Sequence, residues 1–327
     1  MEASFGGLNL TRISRMRAWE ILRRTSLIAV TLVPLLAGCD VANKSPKQIT
    51  IATGGNYPPW SFSKPDGSLG GYEIDLIHLL CTNIQIKCRV ITQDFDGIIP
   101  GLVLGRYDAI VSAMSATEER KKVVAFSIPY ARAPIGFLIA RGSRLTNLPG
   151  TGSSYDFTKS AITARLAIKQ LRMALKGKAI GVPVGTTFES FADAYFSDQT
   201  LVRYPSFAQI GLELASGRID VALDNVTAFK AIIDSSPKGI LVQTGPTFSG
   251  GTRGVGTMNI AFRPQDEALR KSFDTAIRSI NQNGINKALT EKWFSTDISI
   301  HKVRATETAQ LPGAPHPVHA HLDSAGG

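Results

Sequence analysis

The chain has three cysteines, five histidines and three tryptophans in 327 residues. His78 and His301 stand alone, and His316, His319 and His321 fall in a tail rich in Pro, Ala and Gly. No metal-binding constellation can be assembled from them, and neither a metal nor another cofactor is expected. The tail, residues 305–327, has the composition of a disordered segment. Charged residues are only 19% of the chain, and the formal net charge of +10 is spread along it. No basic block is interleaved with aromatics, which argues against nucleic-acid binding. Long apolar runs are also missing. The longest, Leu27 to Leu36, falls short of the ~20 apolar residues that span a bilayer.

That short run does have a meaning. It follows a stretch holding Arg17, Arg23 and Arg24 and ends in Leu36-Ala37-Gly38-Cys39. A basic start, an apolar centre and small residues before a cleavage point make an export signal. With cysteine at that point the segment resembles a bacterial lipobox. Residues 1–38 are therefore expected to be removed, Cys39 to carry lipid, and residues 39–47 to form a polar tether. Asp40 resembles the inner-membrane retention signal of Gram-negative lipoproteins. Met16 is a better start than Met1, so residues 1–15 read as an overcalled extension. With Cys39 occupied, Cys81 and Cys88 form a pair in an oxidising compartment, where disulfides persist.

The remainder is long enough for two domains. Gln48–Thr53, 88–92 and 107–112 read as strands, and 71–80 and 96–104 as helices. After 135–140 the pattern restarts. Strands are expected at 178–182, 201–204 and 219–223, and helices at 188–196, 207–214, 266–283 and 285–293. Residues 254–262 read as extended. Strands alternating with helices imply α/β lobes with crossover connections. Gly105-Arg-Tyr-Asp-Ala-Ile110 and Gly217-Arg-Ile-Asp-Val-Ala222 repeat weakly between the two halves. Residues 142–175 read as an insertion, with a loop at 150–154 and a basic helix at 159–175.

Several strings occur together: Tyr57-Pro58-Pro59-Trp60-Ser61-Phe62, Gly70-Gly71-Tyr72-Glu73-Ile74-Asp75-Leu76, Asp94-Phe95-Asp96-Gly97-Ile98-Ile99-Pro100, Met114-Ser115-Ala116-Thr117-Glu118-Glu119-Arg120 and Phe126-Ser127-Ile128-Pro129-Tyr130. In order and spacing the chain resembles bacterial extracellular solute-binding proteins of family 3, the polar amino-acid receptors of ABC importers, over about 48–298. The resemblance implies a two-lobed periplasmic binding protein of type II (Venus-flytrap), each lobe a mostly parallel sheet flanked by helices. Lobe 1 would comprise 48–134 plus 252–298, and lobe 2 135–251. The crossing segments would lie near Arg132–Ile135 and Ser249–Gly254. The implied partners are a small-molecule ligand and the membrane subunits of an ABC permease, the protein acting as a monomer held to the inner membrane by its lipid.

Within the family the chain resembles the opine (octopine/nopaline)-binding branch. The 142–175 insertion, Ala113 where basic-amino-acid receptors have Ser, and Asn225 where they carry Asp all point that way. Gly54 departs from both branches, which commonly have an acidic residue there.

Arg120 is central. Ser115-Ala-Thr-Glu118 is a capping-box pattern, so a helix is expected near Ser115 with Arg120 in its first turns. A cation there opposes the helix dipole, and an anionic ligand would reverse that balance. Gly185-Thr186-Thr187 lies between a strand and a helix and offers free N–H groups for an anion. The resemblance gives Tyr57 and Phe95 the aromatic walls, and Ser112, Ala113, Ser115 and Asn225 further contacts, leaving Asp224 to face solvent. The same fold resembles exported cyclohexadienyl dehydratases, a lyase alternative. That chemistry needs a general acid or base. Arg120, Tyr57, Thr187 and Asn225 transfer protons poorly, and Glu189 is the nearest acid, so a binding protein rather than an enzyme is expected.

Overall fold

A computed structural model describes residues 48–237, 239–251 and 256–300. The export signal, the Cys39 anchor, the 39–47 tether and the 305–327 tail lie outside the described residues. No helix among those residues is long and apolar enough to cross a membrane.

The fold is α/β, built on two mixed sheets flanked by helices. The first runs Lys87–Thr92, Gln48–Thr53, Ala109–Ile110, Ala261–Phe262, Ala125–Phe126. Its first three strands are parallel and the last two pair antiparallel. Gln48–Thr53 shows why it is central. Ile49 and Ile51 enter one apolar cluster, with Leu76, Ile77 and Leu80 of helix Tyr72–Asn83 and Phe273 and Ile277 of helix Glu267–Gln282. Ala52, on the opposite face, joins Ile98 and Leu102 of helix Phe95–Val103. A strand buried on both faces has to be apolar on both.

The second sheet runs Ser154–Asp156, Leu241–Ser249, Ile135–Ala140, Val221–Asn225, Ala179–Pro183, Thr200–Tyr204. Ile135–Ala140 is antiparallel to both neighbours. Ile135, Phe137 and Ile139 pack with helices Ala161–Ala174 and Thr187–Tyr195. Leu138 points the other way, into helices Phe207–Ala215 and Val226–Ser235. Between the lobes Ala131–Arg132 pairs with Thr257–Met258. Part of the second expected crossing segment, 252–254, is outside the described residues.

Some local expectations are corrected. The strand expected over 107–112 is reduced to Ala109–Ile110, because Ala113 turns the chain at a positive φ of 44°. Residues 56–70, given no element in the sequence reading, form a three-stranded ribbon, Asn56–Tyr57, Ser61–Ser63 and Leu69–Gly70. Helix Val226–Ser235 and strand Leu241–Ser249 have no counterpart in the sequence reading.

Cys81, near the end of helix Tyr72–Asn83, and Cys88, in the following strand, form a disulfide with Cα atoms 6.2 Å apart. Closing so short a loop stabilises by roughly 2–3 kcal/mol. Replacing both cysteines with alanine should lower the thermal midpoint accordingly, and peptide mapping without reductant should find the linked pair. Two alkylatable thiols in exported protein would contradict the bridge.

Candidate functional site

A cavity with about 70 Å³ of free space lies between the two sheets. Chain ends that follow strands supply its wall: Gly54 after Gln48–Thr53, Ser112 and Ala113 after Ala109–Ile110, Val184 after Ala179–Pro183. Open α/β sheets bind ligands at such carboxyl ends. The cavity brings together Tyr57, Phe95, Ser112, Ala113, Arg120, Thr186 and Thr187. It does not include Ser115 or Asn225.

Arg120 sits in the short helix Glu118–Lys121, capped by Thr117 rather than Ser115. The Thr117 hydroxyl accepts from the Arg120 N–H at 3.1 Å. Glu118 does not reach back as a capping box requires; it pairs with Lys121 at 2.8 Å. Ser115 is buried, and its carbonyl accepts from Arg120 Nη1 at 2.9 Å. The Ala113 turn keeps Ser115 out of the helix, and the next hydroxyl along the chain takes the cap. Arg120 Nη2 donates across the cleft to the Gly185 carbonyl at 3.0 Å, and the guanidinium lies 5.5 Å from the Phe95 ring centroid. Among the described residues no carboxylate is ion-paired with it, and desolvation pulls its pKa down to about 10. It remains a cation near neutral pH, held by neutral oxygens and a ring face.

The acid opposite is Asp224. Far from facing solvent, it is fully buried and lines the cavity. Tyr57, from the other lobe, donates its hydroxyl to Asp224 Oδ1, while Oδ2 has no partner. Burial raises the Asp224 pKa to about 8 and the Tyr57 pKa further above its usual value. Asn225 instead caps helix Val226–Ser235: its Oδ1 accepts from the Thr227 N–H at 3.1 Å and the Thr227 hydroxyl at 2.9 Å. Neighbours in a strand point to opposite faces, so only one of the two can look into the cleft, and it is Asp224. Thr227 also accepts from Trp60 Nε1 at 3.0 Å, a further bond between the lobes.

Glu73 was part of a motif but not singled out as a site residue. It is fully buried behind the wall, where Oε1 accepts from the Ala113 N–H at 2.6 Å and from the Tyr130 hydroxyl. Burial raises its pKa to about 7. A positive φ on a residue other than glycine is uncommon and needs support from its surroundings. The Glu73 carboxyl gives Ala113 that support. Ser112 braces the same wall: its hydroxyl accepts from the Gly54 N–H at 3.0 Å.

Thr186 caps helix Thr187–Tyr195, accepting from the Glu189 N–H at 3.3 Å. Glu189 reaches back to the Gly185 N–H at 2.7 Å and is ion-paired with Arg203 at 2.5 Å. It is therefore committed to the helix start and does not line the cavity, which removes it as a proton-transfer group. The first N–H groups of a helix have no partner within it and favour anions. Phe188 and Phe207 complete the apolar walls and were missed in the sequence, where each marked only the start of an expected helix. Tyr57 meets Phe207 edge-on at 6.3 Å.

The profile of the bacterial extracellular solute-binding proteins, family 3, matches residues 49–296. The chain belongs to that family. Among curated relatives it is 34% identical to the octopine-binding periplasmic protein of Rhizobium meliloti over 299 residues, 86% of this chain and 100% of that protein. An ancestral arginine-binding protein solved with arginine superposes with a TM-score of 0.63 at 28% identity, covering 76% of this chain and 98% of the other. An ancestral amino-acid-binding protein described as a precursor of cyclohexadienyl dehydratase has a TM-score of 0.62, at 24% identity over 76% of this chain and 95% of its own. That last likeness concerns the fold alone.

Asp224 and Glu73 have raised pKa values, so the folded protein keeps protons that the unfolded chain has lost. Such groups make stability fall as pH rises between their unfolded and folded pKa values. For Asp224 the window runs from 3.8 to about 8. Relative to the parent, Asp224→Asn should therefore gain stability as pH rises from about 5 to about 8. Thermal melts across that range check it, and parallel curves would place the Asp224 carboxyl in water.

Proposed function

We propose that the protein is the substrate-binding component of an ABC importer, capturing an amino acid or an opine-like derivative outside the inner membrane and delivering it to the permease. One observation carries the reading. A half-buried guanidinium without a carboxylate partner among the described residues and a buried carboxyl with an unpartnered oxygen line one cavity from opposite lobes. Together they complement a ligand carboxylate and a ligand amine. Arg120 would take the carboxylate as a charge-assisted fork, with Tyr57, Phe95, Phe188 and Phe207 flanking the apolar stem. Asp224, not Asn225, would take the amine. In solute-binding terms Ser112 and Ala113 shape the wall, Thr186 and Thr187 offer amides to an anion, and Ser115 and Asn225 act from behind the wall.

An N-substituted amino acid with a second carboxylate is the ligand class we favour. With Asn225 reassigned to a helix cap, that choice rests on three supports. Gly54 leaves its side of the wall without an acidic group, Ala113 adds none, and the octopine-binding relative is 34% identical. The second carboxylate would meet the N–H groups at the start of helix Thr187–Tyr195. An ordinary polar amino acid is the runner-up. The lobes would divide as 48–134 plus 252–298 and 135–251, with a Cys39 lipid anchor holding a monomer at the inner membrane. The lyase alternative would use Asp224 as its acid, and a prephenate assay should detect no turnover.

A thermal-shift screen of the twenty amino acids against an opine panel tests the ligand class. A ligand at a hundred times its dissociation constant stabilises by ~2.7 kcal/mol, a readable shift. The largest shifts should come from opines; shifts with lysine, arginine or histidine and none with any opine would overturn that choice. Arg120→Ala should weaken binding by ~2–5 kcal/mol, about thirty- to several-thousand-fold, without unfolding the protein. Binding within about threefold of the parent would remove Arg120 from the site.

A further inference from the structure

Helix Ala161–Ala174, in the inserted stretch, has two apolar faces. One is buried through Ala164, Ala167, Ile168 and Leu171. The other carries Ile162, Leu166 and Met173, exposed at 75%, 57% and 73%. At about 100° per residue these three fall within an arc of about 40°. They form a ridge on the side opposite the core. Arg165, Lys169 and Arg172 lie along one flank of it, all exposed. Between Asp156 and Glu189 the chain has six cations and no acidic residue: Lys159, Arg165, Lys169, Arg172, Lys176 and Lys178. Arg172 is paired with Asp198 at 2.9 Å and Lys178 with Asp220 at 3.0 Å. Lys159, Arg165, Lys169 and Lys176 have no carboxylate partner among the described residues.

We infer that this helix is a docking face for an anionic phospholipid surface. Lying flat, it would dip the Ile162–Leu166–Met173 ridge below the headgroups while the flanking cations reach the phosphates. The arrangement matches what an interfacial helix needs, apolar side chains on one face bordered by Lys and Arg. Long basic side chains can lay their stems along apolar surface and keep the charge at headgroup level. Three side chains are too small a patch for a specific protein interface, which buries about 800 Å² per partner. A lipid surface makes no such demand. Each cation near an anionic membrane adds about fivefold in affinity, so a small ridge with several cations gives weak, reversible, salt-sensitive docking. The helix contributes no residue to the cavity, so docking leaves the ligand site untouched.

The test uses the mature chain without the export signal, starting at position 39 with Cys39→Ser so that no acyl chain contributes, and every variant is made in that background. Co-sedimentation is measured with vesicles of phosphatidylethanolamine and phosphatidylglycerol, and with neutral phosphatidylcholine vesicles. The parent should bind the anionic vesicles at low salt, release at high salt and ignore the neutral ones. The triple change Arg165→Gln, Lys169→Gln and Lys176→Gln should weaken binding on the order of a hundredfold. Ile162→Ser with Leu166→Ser and Met173→Ser should also weaken it, while melting midpoints stay near the parent's. A Met173→Cys variant carrying an environment-sensitive dye should shift to the blue with anionic vesicles. Equal binding by parent and ridge variant, no binding by the parent, or an unshifted dye would overturn the proposal. So would a dye that shifts only on cross-linking to an acidic membrane protein.

Discussion

A guanidinium half withdrawn from bulk water, and offered carbonyl oxygens and an aromatic face, is an unbalanced charge. The low-dielectric cleft makes every interaction with it stronger than it would be at the surface. Much of the site follows from holding that charge in place. Thr117 fixes the helix that carries Arg120, the Ser115 carbonyl takes one end of the fork, and Gly185 takes another from across the cleft. The contact to Gly185 joins the lobes through the same side chain that is proposed to receive the ligand. Recognition and closure are coupled in one residue.

The opposite wall rests on a second buried charge-bearing group. Glu73 begins a helix beneath the cleft and gives an oxygen to the Ala113 N–H, supporting a backbone conformation that alanine rarely adopts. From that turn the chain runs to Ser115 and on to Arg120. The two buried carboxyls divide the labour. Each keeps one buried oxygen without a partner, but Asp224 lines the cavity and Glu73 lies behind it, bound to Tyr130 and the Ala113 N–H. Burial raises the pKa of each, and an incoming amine would favour the charged form of Asp224.

The strands were legible where a period of two or an unbroken apolar run marked them, as in Gln48–Thr53 and Ala179–Pro183. Arg120 was legible because the Met114–Arg120 string places it. What failed depended on choices between near neighbours that periodicity does not resolve. Asp224 and Asn225 differ by one position, and the pairing of Asp224 with Gly136 and Asn225 with Ile135 decides which faces the cleft. Reading Asn225 as a ligand group also hid the helix it caps, whose Val, Thr and Ile residues weaken the helical signal. Ser115 and Thr117 are both capping residues, and only the Ala113 turn separates them. The Leu241–Ser249 strand contains Gly245 and Pro246, and its pairing shifts register between Thr244 and Phe248, so it did not read as one strand. Glu73 lay in a quoted motif, but its spacing alone does not tell that its helix starts inside the lobe.

Trp60 and Thr227 join the lobes by a hydrogen bond to which no ligand atom need contribute, since neither residue lines the cavity. Thr227 keeps its own bond to Asn225 when Trp60 leaves, so the lobes can part without fraying the helix behind them. Such a fastening would bear equally on every cargo. Dwell time and selectivity are thereby held by different atoms, and a carrier that has to surrender what it catches can adjust one without eroding the other.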